Sequence, residues 1–387
     1  MPVHSTRRMV HPGCSTTRRS TCDPAADALL RLASPAPLSR NDLISRGLPA
    51  TTANPRYSEG SVLVLSDGRL LYATTEFQER VGLRQARVIA TSESADGGQT
   101  WSAPRVVQEN VGKQNVMSVT LRRLRPGAVF DGPIGLFYLV KNSPTDLHVF
   151  VRTSEDEARS FGPPIQVTTA PGYHVMNNDR VTILKSGRIL APIASTGDVL
   201  KGGHFVSACV ISDDLGKTWH HGRGHVDYGR RGAMEPEVVE AEDGRLFMHI
   251  RTQLGHIAVS ESTDGGETWG EARSWEVRAP EAPSTVRVIP STGHLLLIWN
   301  DTFRAGEGHG GRRTPLTAAI SADGGKTWTH RRDLETDAKF TYAYTSITFD
   351  RGRALLTYYV RDEATGRISS RFRSVPIAWF YAGDAAP

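Results

Sequence analysis

Cysteine is scarce in this chain of 387 residues: Cys14, Cys22 and Cys209 are the only three. No disulfide framework can be drawn from them, and no Cys or His pair stands at zinc-ligand spacing in a shared context. Cys209 falls in the strand-like run 205–211 and reads as a small core residue. Long apolar runs are missing as well. None approaches a membrane span and the first thirty residues hold no secretory apolar segment, so no membrane partner is expected and a cytoplasmic location is the default. No stretch carries a long helical period, which excludes a helix bundle. The net charge of +5 is unevenly placed: residues 1–46 hold seven Arg and no Lys against three Asp, so +4 lies there and +1 elsewhere. That distribution gives no basic face for nucleic acid. The glycine-rich segment 305–311 lacks the following Lys-Ser/Thr and helix of a phosphate loop, and is expected to be a mobile rim loop.

What is present is repetition. Four segments share one pattern: Ser94-Ala-Asp96-Gly-Gly98-Gln-Thr100-Trp101, Ser212-Asp-Asp214-Leu-Gly216-Lys-Thr218-Trp219, Ser262-Thr-Asp264-Gly-Gly266-Glu-Thr268-Trp269 and Ser321-Ala-Asp323-Gly-Gly325-Lys-Thr327-Trp328. A worn fifth copy runs from Ser154 through Asp156 to Ser160 and Phe161, with Ala158 in the glycine position. The aromatic recurs at 101, 161, 219, 269 and 328. A spacing of this length means stacked supersecondary units. Locally, each Asp commits to a side-chain-to-backbone turn, glycine supplies a positive φ, and Thr and Trp return into a strand. Their aspartates are therefore structural.

A second repeat runs out of phase with the first. Apolar runs at 62–65, 181–184, 238–240, 286–289 and 347–349 each turn at a glycine into another apolar run, and a looser copy turns near Gly127 or Gly132. Short Val, Ile, Leu, Tyr and Phe segments broken by Gly and Asp read as β-hairpins. Six units of two hairpins predict an all-β chain, a six-bladed β-propeller over residues 46–387. A strand near residue 50 is expected to complete the last sheet against strands over 369–381. Residues 1–45 read as a basic, disordered tail, with one short helix at 24–34.

The Ser-x-Asp-x-Gly-x-Thr-Trp boxes, alternating with Asp-Gly-Arg-Leu hairpins over 54–381, resemble the Asp-box (BNR-repeat) sialidase superfamily. The resemblance implies a six-bladed propeller with its chemistry at the ring centre and no metal or organic cofactor. Family exo-sialidases, or neuraminidases, hold the substrate carboxylate with three arginines and attack with a Tyr whose proton passes to a Glu. On the matching positions, Arg56, Arg251 and Arg313 resemble the arginines, Tyr344 the nucleophile, and Glu235 or Glu237 its partner. A Tyr nucleophile is a known exception to the two-carboxylate rule of glycosidases. The family's acid/base Asp lies in the loop after the first hairpin, yet segment 75–87 contains no Asp, so Glu59, Glu76 or Glu79 would have to serve.

The residues also carry readings of their own. Segments 56–59, 115–118, 177–180, 235–237, 283–284 and 342–346 each precede an apolar strand and are polar for positions so near a core. Buried polar groups are costly unless paired or used, so a shared polar mouth is expected. Segment 173–180 resembles a retuned pocket, with His174 as a candidate proton carrier and Asn178, Asp179 and Arg180 as substrate contacts. Glu235 and Glu237, two apart, are expected on one strand face, as are Tyr342 and Tyr344. Three functions follow: a retaining sialidase-type exo-glycosidase on a terminal acidic sugar, a glycosidase or polysaccharide lyase on another sugar using His174, Glu59, Asp179 or Glu237, or a carbohydrate-binding propeller without catalysis. A carbohydrate is the partner in all three, and nothing in the sequence sets an oligomeric state.

Overall fold

The computed structural model describes residues 43–80, 83–127, 132–306 and 311–382, apart from the side chains of 43–46 and 79–87. The expected tail and its helix at 24–34 lie outside the described residues, as does most of the glycine-rich loop. Within them the chain is all-β, closed by one short helix. The strands follow one another as six antiparallel meanders. The first is β2 (Arg56–Val64), β3 (Leu70–Arg80), β4 (Leu83–Ser94) and β5 (Arg105–Glu109), and the second β6 (Asn115–Arg123), β7 (Ile134–Ser143), β8 (Asp146–Ser154) and β9 (Ile165–Gln166). The third holds β10 (Tyr173–Val175), β11 (Thr182–Ile183), β12 (Ile189–Thr196), β13 (Val206–Ser212) and β14 (His220–His221). The fourth is β15 (Met234–Glu240), β16 (Leu246–Arg251), β17 (His256–Ser262) and β18 (Arg273–Arg278). The fifth is β19 (Thr285–Val288), β20 (Leu295–Trp299), β21 (Leu316–Ser321) and β22 (Thr329–Glu335). The sixth is β23 (Phe340–Asp350), β24 (Arg353–Asp362) and β25 (Ile368–Pro376), and β1 (Leu43–Leu48) pairs antiparallel on β25 as its fourth strand. The last segment departs from expectation: after Pro376 the chain turns into helix α1 (Ile377–Tyr381), which buries Phe380, and does not stay extended to residue 381.

The apolar cores lie between consecutive meanders. Leu63 and Leu71 of the first pack with Leu121 and Leu136 of the second, and Phe137 and Val149 of the second pack with Ile189 and Val210 of the third. Leu190 and buried Cys209 meet Val238 and Met248, Phe247 and Val259 meet Leu297 and Trp299, and Leu296 and Ile320 meet Ile347 and Leu356. The sixth core joins the last meander to the first, through Leu355 and Phe372 on Val62, Val64 and Tyr72.

The repeated turns sit where two meanders meet. In the first, Asp96 Oδ1 accepts from the amides of Gln99 and Thr100 at 2.9 Å, and its Oδ2 accepts from the Thr100 hydroxyl at 2.6 Å. Asp156, Asp214, Asp264 and Asp323 accept the corresponding Ser or Thr amide and hydroxyl in the same way. The aromatic that follows packs against the core shared with the preceding meander: Trp101 between Tyr72 and Phe372, Trp219 on Phe137, Trp328 on Trp275. Phe161 and Trp269 occupy the corresponding cores. At Gly98, φ is +93° and a Cβ would lie 2.1 Å from the Phe372 ring, so this position requires glycine for both reasons.

These bonds set an acid limit to stability. The Ser160 hydroxyl and amide hold Asp156 down at about 2, and at Asp323 the Thr327 hydroxyl and amide outweigh partial burial and bring it to about 2. A carboxylate depressed on folding stabilises above its unfolded pKa of about 3.9, and the gain is lost as pH falls through the folded value. The unfolding midpoint is therefore expected to drop between about pH 4 and pH 2. A thermal melt series flat across that interval would refute it.

Candidate active site

The first strand of a meander breaks its register just before its apolar segment. The breaks fall between Ser58 and Ser61, Met117 and Thr120, Met234 and Glu237, and Ala343 and Ser346. At these β-bulges Glu59, Ser118, Glu235 and Tyr344 take positive φ of 59°, 57°, 44° and 58°. A bulge puts two residues opposite one and re-aims a side chain out of strict alternation. All four re-aimed residues line one cavity of about 210 Å³. Its other polar groups include Asn177, Arg231 and Arg251, while Met117, Leu139, Leu147 and Phe205 belong to an apolar wall.

The bulges correct two expectations of shared strand faces. Glu235 turns to the cavity, where its Oε2 accepts from Arg251 Nη1 at 2.7 Å and its Oε1 takes a long 3.4 Å bond from the Tyr344 hydroxyl. Glu237 turns the other way and is fully buried, accepting from Arg180 Nη1 at 2.5 Å, His249 Nε2 at 2.8 Å, the Val286 amide at 3.0 Å and Arg287. Four donors leave Glu237 no capacity as the partner of Tyr344. Likewise Tyr342 packs in the core against Tyr358, whereas Tyr344 faces the cavity beside Tyr359.

The electrostatics separate the two members of the pair. Burial, then the Glu235 charge, pushes the Tyr344 phenol up to about 12 against the pull of Arg313 and Arg251. Burial opposes ionisation of Glu235, but Arg251, Arg313 and Arg180 together bring its pKa below the usual carboxylate value. At neutral pH the phenol is protonated and the carboxylate is charged, a donor and an acceptor poised for one proton. Burial instead raises Glu59, with Arg56 and Ser118 opposing it and Glu235 adding to it.

The remaining expected residues are dispersed. Arg313 lies over the Tyr344 ring at 5.7 Å and donates to the Tyr359 hydroxyl at 2.8 Å. Arg56 is not among the cavity's lining; it stacks on Phe77 at 4.4 Å, donates to Ser58 Oγ at 3.0 Å and comes within 3.9 Å of Glu59. Asn178 is buried and donates to the carbonyls of Gly60 at 2.7 Å and Tyr344 at 3.0 Å, so it holds the backbone at Tyr344 in place of the expected sugar contact.

Asp179 and Arg180 are fully buried in the ion cluster around Glu237 and are not among the cavity's lining residues. Asp179 accepts from Ser61 Oγ at 2.8 Å and the Ile347 amide at 3.1 Å, and pairs with Arg122 and Arg287 at 3.0 Å. His174, expected as a proton carrier, is 5% exposed with both ring nitrogens engaged, Nδ1 at 2.8 Å from Ser195 Oγ and Nε2 at 2.8 Å from the Ala170 carbonyl. Burial lowers its pKa further, and it is its neighbours Tyr173 and Val175 that line the cavity.

Sequence reasoning missed Arg231 and Glu281. Glu281 receives Arg231 and Gln253, the latter at 2.9 Å, and stands 3.5 Å from Arg251, so one carboxylate braces two cavity arginines. The paired prolines around Glu281, at 280 and 283, mark a rigid turn and were the one available signal. Among the described residues no three His, Cys, Asp or Glu side chains converge as a metal site.

A model of the BNR repeat-like domain matches residues 88–356, more than half of the chain. A sialidase of Micromonospora viridifaciens is 24% identical over 308 residues, which cover 71% of this chain and 45% of that protein. A sialidase of Bacteroides fragilis (strain YCH46) is 24% identical over 307 residues, covering 70% and 54%. The chain thus spans about half the length of the curated relatives it matches. In fold it is similar to the Trypanosoma rangeli sialidase solved in complex with sialic acid, with a TM-score of 0.66 at 16% identity over 89% of this chain and 60% of that one. With five turns of one hydrogen-bonded design and a domain model matching most of the same span, the chain belongs to the BNR-repeat, sialidase-like family.

Proposed function

We propose that the chain is a six-bladed β-propeller acting as an exo-glycosidase of the sialidase type, removing a terminal acidic sugar from an oligosaccharide or glycoconjugate. Six meanders with cores between each consecutive pair, the last joined to the first, support the propeller reading, since radial repetition of four-stranded sheets is that architecture. The propeller domain then begins at β1, a few residues before 46, because β1 supplies the outer strand of the last blade.

The observation that carries the chemical reading is the Tyr344–Glu235 pair between Arg251 and Arg313. A phenol is a poor nucleophile unless a base stands beside it, and Glu235 is that base. A neutral nucleophile brings no charge toward an anionic sugar, and guanidiniums suit a carboxylate. In the first step the Tyr344 oxygen bonds to the anomeric carbon, its proton passes to Glu235, and the glycosidic C–O bond breaks. Water then displaces the tyrosyl oxygen, which recovers its proton from Glu235.

An aryl α-sialoside is expected to be hydrolysed, and 2,3-difluorosialic acid to add one sugar mass to the peptide bearing Tyr344. Folded protein that does neither would sink the sialidase reading. A second reading rests on Arg56, which stacks on Phe77 outside the cavity lining and leaves Arg251 and Arg313 beside Tyr344, with Arg231 as the further cavity guanidinium among the described residues. A more compact acidic sugar would then be the substrate, and release from an aryl uronide but not from the sialoside would select it.

A further inference from the structure

The Tyr344–Glu235 pair moves one proton between its own members and supplies none to the departing oxygen. We propose that Glu59 is the acid/base catalyst of this site, giving its carboxyl proton to the glycosidic oxygen and then taking one from the attacking water; this rests on the glycosidase reading above. Glu59 sits on the β2 bulge with φ of 59°, a conformation that costs a non-glycine residue energy and is kept where the surroundings fix it. That backbone turns its side chain into the cavity wall shared with Glu235, Arg251 and Tyr344.

Glu59 is 8% exposed, and its Oε2 is buried with no hydrogen-bond partner among the described residues. A buried carboxylate oxygen without a partner is costly, so burial biases Glu59 toward its acid form. The groups facing it are few: Arg56 on its own strand, Ser118 on β6, Glu235 on β15 and Tyr344 on β23. The cation on its own strand, Arg56, stands 3.9 Å away with its guanidinium stacked on Phe77, while Arg251, on the same cavity wall, is paired with Glu235. Glu235 adds a like charge that favours protonation of Glu59. The cavity thus holds one carboxyl biased toward ionisation and one biased toward its acid form, the separation that assigns base and acid in other two-carboxyl sites.

Three other carriers fail on geometry, while the Glu79 side chain lies outside the described residues and is left to the test. Glu237 is saturated by four donors, His174 has both nitrogens engaged outside the cavity, and Glu281 braces two arginines. The protons balance over the cycle. Glu59 leaves the first step as carboxylate and Glu235 as carboxylic acid; water's attack reprotonates Glu59 and Tyr344 is restored from Glu235. The alkaline limb of kcat/KM is therefore the ionisation of Glu59, and the acid limb the protonation of Glu235.

The test compares Glu59→Gln with wild type on an aryl glycoside, whose leaving group needs little protonation, and on an alkyl glycoside of the same sugar, whose leaving group does. The variant is expected to lose about 100-fold or more in kcat/KM on the alkyl glycoside but under about tenfold on the aryl one, and to lose the alkaline limb. Glu59→Asp should keep the limb at a reduced rate. Labelling of Tyr344 by the 2,3-difluoro sugar, which needs no acid to expel fluoride, should persist in Glu59→Gln and shows that the site is intact. Equal losses on both glycosides, or the same leaving-group split in Glu79→Gln and not in Glu59→Gln, would overturn the assignment while leaving the Tyr344 mechanism standing. A wild type that takes no label and cleaves neither sialoside nor uronide overturns both.

Discussion

Tyr344→Phe is expected to lower kcat/KM by about a thousandfold or more, equivalent to roughly 4 kcal/mol of transition-state stabilisation, while leaving the unfolding midpoint close to that of the wild type. The two halves of that expectation come from the same geometry. Only the hydroxyl is removed, and its one hydrogen-bond partner among the described residues is Glu235 at 3.4 Å, a contact too long to carry much stability. The ring remains to pack on Tyr359 and under Arg313. What disappears is the atom proposed to bond to the sugar. Glu235→Gln should also reduce turnover, but it leaves Arg251 with a neutral neighbour in place of its 2.7 Å carboxylate, so a fall in stability would accompany it. Steady-state kinetics beside a thermal melt separate these cases. Activity within about tenfold of wild type in Tyr344→Phe would remove the tyrosine from the mechanism.

The second large effect concerns stability. Asp179→Ala is expected to cost about 3–5 kcal/mol, because breaking a buried ion pair strands its partners. Asp179 alone touches four other meanders: Ser61 in the first, Arg122 in the second, Arg287 in the fifth and Ile347 in the sixth. Glu237 ties in the fourth through Arg180 and Arg287. Burial opposes ionisation of Asp179, but Arg122 and Arg287, with Ser61 and the Ile347 amide, lower its pKa overall. Its contribution is thus present above the unfolded value of about 3.9 and lost as pH falls through the folded one. Asp179→Asn keeps one acceptor oxygen, puts an NH2 donor in place of the other and loses the charge, and should fall between Ala and wild type. Denaturant titration of the three proteins gives the ordering, and a cost under about 1 kcal/mol for Ala would show that the cluster does not hold the meanders together.

The repeats, the strands between them and the pairing of a strand near residue 50 with the last sheet were all legible in the sequence. Each depends on local signals: glycine at a turn, an Asp that folds its own turn, an apolar run of strand length. The positions of Glu235, Glu237, Tyr342 and Tyr344 were not legible, for a definite reason. Counting in twos presumes an unbroken strand, and a bulge at Glu235 and at Tyr344 shifts the count by one just where the chemistry lies. Nothing in the composition of those segments marks the bulge; Tyr344 and Glu235 take a positive φ without being glycine. The polar mouth was read as one set of groups, whereas the structure divides it into a cavity and a buried charge cluster beneath it. Asp179, Arg180 and Glu237 are as polar as Glu59 and Glu235, and only three-dimensional pairing tells a saturated carboxylate from an available one.

The pairing of β1 with β25 bears on how the chain reaches this state. The Ala50 amide donates to Ser369 Oγ across 319 residues, and the Leu43–Ser374 register lies in the same closure. Contacts so far apart in sequence cannot form early without paying a large chain entropy for little return. The five inter-meander cores that join neighbours in sequence can assemble as synthesis proceeds, whereas the sixth waits for both ends. Until then β25 carries an unpaired edge, open to strands of other chains. The vulnerable species in the life of this protein is accordingly not the unfolded chain but the nearly finished fold, with five inter-meander cores in place and one edge exposed.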